Sequence, residues 1–484
     1  MKLKEWFLIS LGTLTLITLG TIHSIFGTDS HHWGFIMGTA LDFIQGKKLF
    51  EEIYIQYGLG QPLLYRFLNL FIPINFTTTG IITAFVYAAQ LGVLYAIIRK
   101  VGGSTLAMLM YGIAILIHSY SISPWPNYYS GLFLSTAVLM LIQDQRISLH
   151  SFLAGIFFFL AFFFRSTYLV SILAATFAYA MIVLFEPRLK SKRVFSSLVV
   201  FYICFLAFTL ILSLQGDLKL WFEQSIGSGT TKYALGLHDV FKTLRKALWP
   251  VAGYLPDHIV NTSFVIFFNT TIYFLFRSTI KRIIPEKVEY VFFALLGLAG
   301  LSQGILSYEF FRLQSDCMMI YVIVALLLKS KINYQKWRLG IGIYLLLLLI
   351  RFPNASALFP LYDGELASYQ ESSIPIFRFH RFQPEVKSYY EDLANVVCQD
   401  DKKIINLTPD SNLPYLCSTP KNSLNLPFYS DLFINIQTLN YDDQWIITDQ
   451  STHLFSPQLM LTKKVSRPSW IRFFKPSEVF VYLK

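Results

Sequence analysis

Long apolar runs separated by short polar connections fill the first three quarters of the chain. Eleven of these runs are long enough to cross a bilayer as a helix. They lie at about 6–26, 79–98, 104–120, 129–143, 149–163, 168–185, 194–214, 262–278, 288–306, 313–328 and 338–352. The pattern predicts a polytopic α-helical membrane protein with about 11 transmembrane helices.

The pattern changes after residue 352, where Pro, Asp, Asn and Ser occur at the density of a soluble protein. Two short stretches, "KKIINLTPD" and "QWIITDQ", predict buried β-strands, and "SNLPYLC" lies between them. We therefore expect two domains. Residues 1–352 are expected to form a transmembrane domain with outer loops at about 27–78 and 215–261, and residues 353–484 to form a small C-terminal α/β domain.

Composition agrees with a membrane protein, since 54% of the residues are hydrophobic, only 14% are charged, and the mean hydropathy is +0.50. The formal net charge of +11 does not indicate a nucleic-acid partner, because the basic residues form short clusters between apolar runs. The first run is long and no small-residue cleavage site follows it, so we interpret it as a retained helix instead of a signal peptide.

The basic clusters predict the orientation of the chain, because cytoplasmic connections are rich in Lys and Arg. If the N-terminus is cytoplasmic, alternate connections fall on the same side, whereas an opposite link such as "SISPWPN" has no basic residue. The C-terminal domain is then extracytoplasmic, in a plasma or inner membrane. The cytoplasmic set comprises Lys2, Lys4, Arg99, Lys100, Arg146, Arg188, Lys190, Lys192, Arg193, Arg277, Lys281, Arg282, Lys287, Lys329, Lys331, Lys336 and Arg338.

Two outer loops carry patterns typical of helices that lie in the membrane interface. In the first loop, apolar residues recur at helical spacing, Thr39 and Asp42 fall on other faces, and Gly46 supplies a stop. The apolar positions of this loop are Trp33, Ile36, Met37, Ala40, Leu41 and Ile44. In the second loop, Val240, Leu244, Ala247 and Leu248 alternate with basic residues.

The four cysteines divide between the two predicted domains. Cys204 and Cys317 lie in apolar runs and are expected to be buried thiols. Cys398 and Cys417 both lie in the outer domain, where an oxidising compartment would permit a disulfide between them.

The first outer loop and the tail together resemble a known family. "DSHHWGFIMGTALDFIQGKKLFEEIYIQYGLGQPLLY" resembles the first outer loop of bacterial members of the GT-C superfamily, which are integral-membrane, polyprenyl-phosphate-dependent glycosyltransferases. "IINLTPDSNLPYLCSTP" is similar to a segment of their soluble domain. The resemblance implies transfer of a hexose or pentose from a polyprenyl-phosphate donor to a glycan, lipid or protein acceptor, with Asp29 as the general base. No cofactor is expected.

The chemistry of this transfer needs a base and cations. The acceptor hydroxyl loses a proton as it attacks the anomeric carbon, and a single displacement inverts that carbon. The leaving phosphate is a stable anion, so it needs cationic partners more than an acid. Arg165 and Arg312 fall at outer ends of predicted spans, and an arginine fork suits phosphate oxygens. The further substrate-binding candidates are Lys47, Lys48, His31, His32 and Tyr57, which with Gly58 also shapes a turn.

Each of these residues also has a purely structural interpretation. Asp29 could cap the following helix, and the two arginines could reach towards lipid phosphates. Adjacent residues on a helix do not face one another, so His31 and His32 predict no metal site, although a divalent metal stays possible. Glu51 and Glu52 are expected to be solvated, and His118 and Trp125 to be ordinary interface residues.

Two other functions use similar substrates. A transporter of lipid-linked sugars would carry charges at mid-membrane depth and show inverted repeats. A surface-polysaccharide polymerase or ligase would have its catalytic residues in the loop at 215–261. The charges of this chain gather at one surface and no repeat is evident, which favours the glycosyltransferase.

Overall fold

The structure is a computed structural model of the full chain. It describes most of the helical region and parts of the C-terminal region. The described residues are 3–27, 32–117, 124–143, 147–227, 268–307, 318–331, 368–408, 410–417, 424–425, 444–448, 460–467 and 478–483. The predicted domain boundary at residue 353 and the interfacial pattern at 240–248 lie outside these residues.

The helical region follows the predicted apolar runs closely. Ten of the eleven predicted spans are helical over the residues that the structure describes, and the span at 338–352 lies outside them. Four of these helices (residues 5–26 of α1, α4, α8 and α9) are long and apolar enough to cross a membrane by themselves. The helices are α1 Leu3–Phe26, α2 His32–Ile44, α3 Gly60–Leu68, α4 Phe76–Gly102, α5 Ser104–Ile117, α6 Pro126–Ile142, α7 Ile147–Phe164, α8 Thr167–Phe185, α9 Lys192–Gln215, α10 Leu218–Phe222, α11 268–279, α12 Glu289–Ser307, α13 Met318–Lys331 and α14 Pro384–Val397.

Helix α4 is the centre of the bundle and packs against α1, α5 and α6. Its first turn is held by a capping box, in which the Asn75 side chain accepts from the Thr78 backbone N–H at 2.9 Å and Thr78 Oγ1 accepts from the Asn75 N–H at 3.0 Å. Helix α7 continues the bundle by packing between α6 and α9. Cys204 on α9 was expected to be buried and is half-buried; Cys317 lies outside the described residues.

Two cations of the predicted cytoplasmic set, Arg193 and Lys287, converge on the end of α6. Lys287 Nζ donates to the Ile142 carbonyl at 2.9 Å, and Arg193 donates to the carbonyls of Leu141 and Gln143. The last carbonyls of a helix have no partner within the helix and carry partial negative charge, so cations stabilise that end. These basic residues therefore also stabilise a helix end.

The C-terminal region contains a mixed five-stranded sheet with the order β4-β3-β5-β7-β6. The two predicted strands are confirmed as β3 and β5, which pair in parallel, while β7 is antiparallel to both of its neighbours. A disulfide joins Cys398, directly after α14, to Cys417, with Cα atoms 5.4 Å apart. The strands are β1 Gln370–Glu371, β2 Arg381–Phe382, β3 Lys403–Asn406, β4 Leu424–Asn425, β5 Gln444–Thr448, β6 Met460–Ser466 and β7 Glu478–Leu483.

Helix α2 is more deeply buried than an interfacial helix with one polar face. Trp33, Met37 and Ala40 are inaccessible, as the apolar pattern predicts, yet Thr39 and Asp42 on the other faces are also buried. The physical reason is that the C-terminal region covers this side of the helix, as the contacts of Asp42 described below show. The apolar periodicity identifies the face of α2 that packs on the bundle. It does not show that the C-terminal region, which is distant in sequence, packs on another face.

Candidate active site

Arg165 occupies the break between α7 and α8. The side chain is only 5% exposed, and its Nε donates to Thr167 Oγ1 at 2.8 Å. Its Nη1 atom is buried and has no hydrogen-bond partner among the described residues. A buried, unpaired guanidinium nitrogen is costly, because it has lost water without gaining an acceptor. The arginine is therefore able to accept an anion at this position.

The turn at Tyr57 and Gly58 packs directly on this break. The Tyr57 carbonyl accepts from the Ser166 N–H at 2.5 Å. A Cβ atom at Gly58 would lie 2.6 Å from the Phe163 carbonyl oxygen, and one at Gly60 would lie 2.4 Å from the Phe164 ring. Only glycine allows so close an approach at both positions, so the glycines let the outer loop pack against the end of α7.

Aromatic rings connect Arg165 to the beginning of α2. The Arg165 Cζ atom lies 5.8 Å from the centroid of the Tyr57 ring, and that ring meets Phe35 of α2 edge-on at 6.0 Å. Trp125 contacts Tyr57 from the other side at 5.6 Å and is 5% exposed. The expectation that Trp125 is an ordinary interface residue is wrong, because the tryptophan is buried behind this loop. His118 lies outside the described residues.

The C-terminal region contacts α2 through small residues and one carboxylate. A Cβ atom at Gly34 would lie 2.3 Å from Asn412 Oδ1, and one at Gly38 would lie 2.4 Å from the Tyr415 ring. The Tyr415 hydroxyl donates to Asp42 Oδ2 at 2.8 Å. The segment "GFIMG" thus gives α2 a flat face against which the chain after β3 packs.

Asp42 is buried and carries one hydrogen bond on each oxygen. Lys47 Nζ lies 2.6 Å from Oδ1, and Tyr415 donates to Oδ2. Burial raises the pKa of Asp42, and the Lys47 charge opposes that shift. The ion pair uses the Lys47 ammonium group, which is the group that the sequence suggests for a substrate phosphate.

The C-terminal region also contacts the end of α1, just before residues 28–31. His380 Nδ1 is 2.9 Å from the Ser24 carbonyl, which can only accept, so Nδ1 carries the hydrogen. Burial lowers the pKa of His380 to about 3, and the ring is therefore neutral at ordinary pH. Trp33 stacks on Phe76 with ring centroids 4.0 Å apart. Both ends of the segment that carries Asp29 are therefore held by packed elements.

Asp410 is a buried carboxyl group that the sequence analysis does not single out. It is inaccessible to solvent, and its Oδ1 accepts from the Asn412 N–H at 3.1 Å. Burial raises the pKa of Asp410 to about 7, opposed chiefly by that N–H and by the nearby Tyr390 hydroxyl. The sequence "TPDSN" predicts only a turn. It does not reveal that α2 and α14 pack around this turn.

The structure brings two of the predicted site residues together, Tyr57 and Arg165. Lys48 is exposed and pairs with Glu51 at 3.2 Å, so this pair belongs to a solvated loop. His32 begins α2. Asp29, His31 and Arg312 lie outside the described residues. Within the described ranges, no group of three or more His, Cys, Asp or Glu side chains is arranged to hold a metal ion.

Comparison with known proteins finds similarity in structure and none in sequence. ArnT from Cupriavidus metallidurans, in a crystal structure bound to undecaprenyl phosphate, matches with a TM-score of 0.59 at 10% identity, over 99% of this chain and 98% of that chain. The Archaeoglobus fulgidus oligosaccharyltransferase, tethered to an acceptor peptide, matches with a TM-score of 0.52 at 11% identity, over 93% of this chain and 69% of that chain. No protein-family model and no curated protein matches the chain.

Proposed function

We propose that this chain, whose fold is that of the GT-C superfamily, is an inverting glycosyltransferase of the plasma or inner membrane. It would move a sugar from a polyprenyl-phosphate donor to a glycan, lipid or protein acceptor outside the cytoplasm. The loop resemblance in the sequence and the structural likeness to ArnT agree on this fold. ArnT bound to undecaprenyl phosphate supports a lipid-linked donor, and the oligosaccharyltransferase tethered to a peptide supports a separate acceptor.

One observation carries the proposal, the contact series from Phe35 through Tyr57 to Arg165. It sets a buried guanidinium with an unpaired Nη1 atom beside the first turns of α2. Asp29 lies three residues before α2 in the sequence. A base and a phosphate-binding cation at the same end of the bundle are what transfer from a sugar phosphate requires.

The roles of these residues follow from charge. Arg165 would bind the phosphate and stabilise the negative charge that grows on it as the sugar leaves. Asp29 would accept the proton of the attacking hydroxyl. A phosphate needs no proton to leave, in contrast to the alkoxide expelled in glycoside hydrolysis, so a second carboxylic acid is unnecessary.

The test is transfer activity of the purified full chain with a panel of polyprenyl-phosphate sugars. We expect turnover in the wild type and a loss of at least about 100-fold in kcat for Asp29→Asn, the scale of general-base catalysis. The matched control is Asp217→Asn, which changes a carboxylate after α9 and should leave kcat unchanged. Turnover that survives in Asp29→Asn would remove Asp29 as the base. No turnover on any donor, with sugar lipid moved across vesicles, would identify a transporter.

A further inference from the structure

A cavity opens at the end of the bundle opposite Arg165. It has a volume of about 980 Å³ and lies between α1, α4, α5 and α6. The first turn of α1 and the last turns of α4 line this cavity. The opposite ends of these two helices lie near Ser24 and Phe76. The volume falls within the range of pockets that bind small molecules or headgroups.

The cavity is lined by charges of both signs. Glu5 is 4% exposed, and its Oε2 lies 3.4 Å from Arg99 Nε. Lys100 Nζ donates to Gln143 Oε1 at 3.0 Å at the exposed side of the cavity. Arg99 and Lys100 give one wall of the cavity a net positive charge, and the Glu5 carboxylate lies deeper in the cavity.

Two buried polar atoms of this cavity lack hydrogen bonds. Glu5 Oε2 has a long ion pair with Arg99 Nε at 3.4 Å and interacts with the nearby Tyr95 hydroxyl, but neither oxygen has a hydrogen bond of normal geometry among the described residues. Tyr95 is also only 4% exposed. Buried polar groups are almost always satisfied, and a carboxylate oxygen accepts more than one hydrogen bond, so Glu5 Oε2 can take a donor from a ligand in addition to its long contact with Arg99.

The position of the cavity indicates where such a ligand comes from. Helix α1 is apolar enough to cross a membrane from Glu5 onwards, and Trp6 beside the cavity is 59% exposed. Exposed tryptophans concentrate at the level of lipid headgroups. Ile9 and Leu139 add apolar wall on the side of the membrane interior. A phospholipid could therefore place its headgroup in the cavity and its chains along α1.

We propose that this cavity binds the headgroup of a phospholipid that carries both an ammonium group and a phosphate. The ammonium would donate to Glu5 Oε2 and the Tyr95 hydroxyl, and the phosphate would pair with Arg99 and Lys100. A purely anionic headgroup would pair with Arg99 and Lys100 but would leave Glu5 Oε2 with only its contact to Arg99 at 3.4 Å. The proposal does not depend on the transferase function, since the cavity is at the other end of the bundle.

The experiment titrates the full chain in detergent with dihexanoyl phospholipids and follows the thermal unfolding temperature. We expect saturable stabilisation by the ethanolamine lipid, with an apparent Kd about tenfold lower than for the glycerol lipid, which has no ammonium. The choline lipid should also bind about tenfold more weakly, because its quaternary ammonium has no N–H to donate. Equal binding of all three lipids, or preference for the glycerol lipid, would overturn the proposal.

Variants then test the residues. Glu5→Gln and Lys100→Gln should each raise the apparent Kd for the ethanolamine lipid about tenfold. Lys329→Gln is the matched control, because Lys329 is a basic residue of the same predicted membrane face, outside this cavity, that pairs with Glu286 at 3.3 Å. An equal loss in Lys329→Gln would show general attraction to a charged surface. If Glu5→Gln does not fold, the Lys100→Gln variant alone still tests the site. A wild-type affinity of Lys100→Gln for the ethanolamine lipid would refute the site.

Discussion

Arg165 shows how much one side chain can indicate in a membrane protein. Charged residues within apolar helices are expensive, and most face either a partner charge or a ligand. Within the described part of the chain, Arg165 has no ion-pair partner; its Nε atom donates to Thr167, and its buried Nη1 atom has no hydrogen-bond partner. Among these residues no anion offsets the cost of burying the charge, which is the behaviour of an anion-binding residue.

We predict that Arg165→Lys weakens donor binding by about 10- to 100-fold, because lysine keeps the charge but loses the planar fork that holds two phosphate oxygens. The measurement is KM for the lipid-linked donor alongside kcat. Arg188→Lys is the control, since that arginine pairs with Glu186 at the other end of the bundle. Equal KM values for Arg165→Lys and the wild type would show that the guanidinium does not bind the donor.

Asp410 gives the stability of the protein a specific pH dependence. Its pKa rises from 3.8 in the unfolded chain to about 7 in the fold, so the folded protein holds a proton that the unfolded chain has released. The free energy of unfolding should therefore fall as the pH rises from about 4 to about 7, by at most about 1.4 kcal/mol per pH unit. Above about pH 7 this contribution is lost.

We predict that Asp410→Asn removes this slope, because the amide resembles the protonated carboxyl and never ionises. The measurement is the unfolding temperature between pH 5 and pH 8. Asp392→Asn is the control, since Asp392 is a half-exposed carboxylate next to Lys463 and should leave the slope as in the wild type. A slope that persists in Asp410→Asn would mean that another group causes it.

At the scale of elements, α2 connects the bundle to the C-terminal region. Its apolar face packs on α4 through Trp33, whose Nε1 donates to Thr79 Oγ1 at 2.9 Å. Its glycine face packs on the chain after β3. Since α2 directly follows the segment with Asp29, any shift of the C-terminal region would be passed to the predicted base. This arrangement makes α2 sensitive to small changes in volume on its glycine face.

We predict that Gly38→Ala lowers the free energy of unfolding by about 1–3 kcal/mol, the usual cost of overpacking. The new Cβ would meet the Tyr415 ring at 2.4 Å, and that ring cannot move without losing its hydrogen bond to Asp42. Gly92→Ala is the matched control in α4, where nothing lies within 4 Å, and it should be neutral or stabilising. Chemical unfolding of both variants measures the difference, and equal stabilities would contradict the close packing of α2.

At the scale of the whole molecule, the arrangement requires that the two ends of the bundle face opposite sides of a membrane. Helix α9 has 24 residues and is about 36 Å long, enough to cross the apolar core of a bilayer. Arg188 precedes it and Lys219 follows it, and both side chains are at least half exposed. These two residues therefore report on the orientation of the chain.

We predict that a membrane-impermeant maleimide labels Lys219→Cys in intact cells but labels Arg188→Cys only after lysis, in a chain with Cys204→Ser and Cys317→Ser. The reason is the basic cluster before α9, which favours the cytoplasmic side. Labelling of both positions from the same side would show that α9 does not cross. The reverse pattern would put the proposed transferase site in the cytoplasm.

The sequence by itself determined the features that depend on local periodicity. The helices from α4 to α9 begin and end within a few residues of the apolar runs, because a bilayer requires a run of about 20 apolar residues wherever a helix crosses it. Strands β3 and β5 were equally visible, since buried strands are short apolar runs between turn residues. Arg165 stood out as a charge at the edge of an apolar run, and Tyr57 stood out through the Tyr-Gly turn of the loop that resembles the family.

Only the tertiary structure decided which distant residues meet. Asp410 lies in an ordinary turn sequence, and its raised pKa exists only because the fold encloses that turn. The burial of Trp125 against Tyr57 is not visible in the sequence around Trp125, and the cavity at Glu5 exists because α1 meets the end of α4. Burial and long-range contact depend on how elements pack, which periodicity along one chain does not specify.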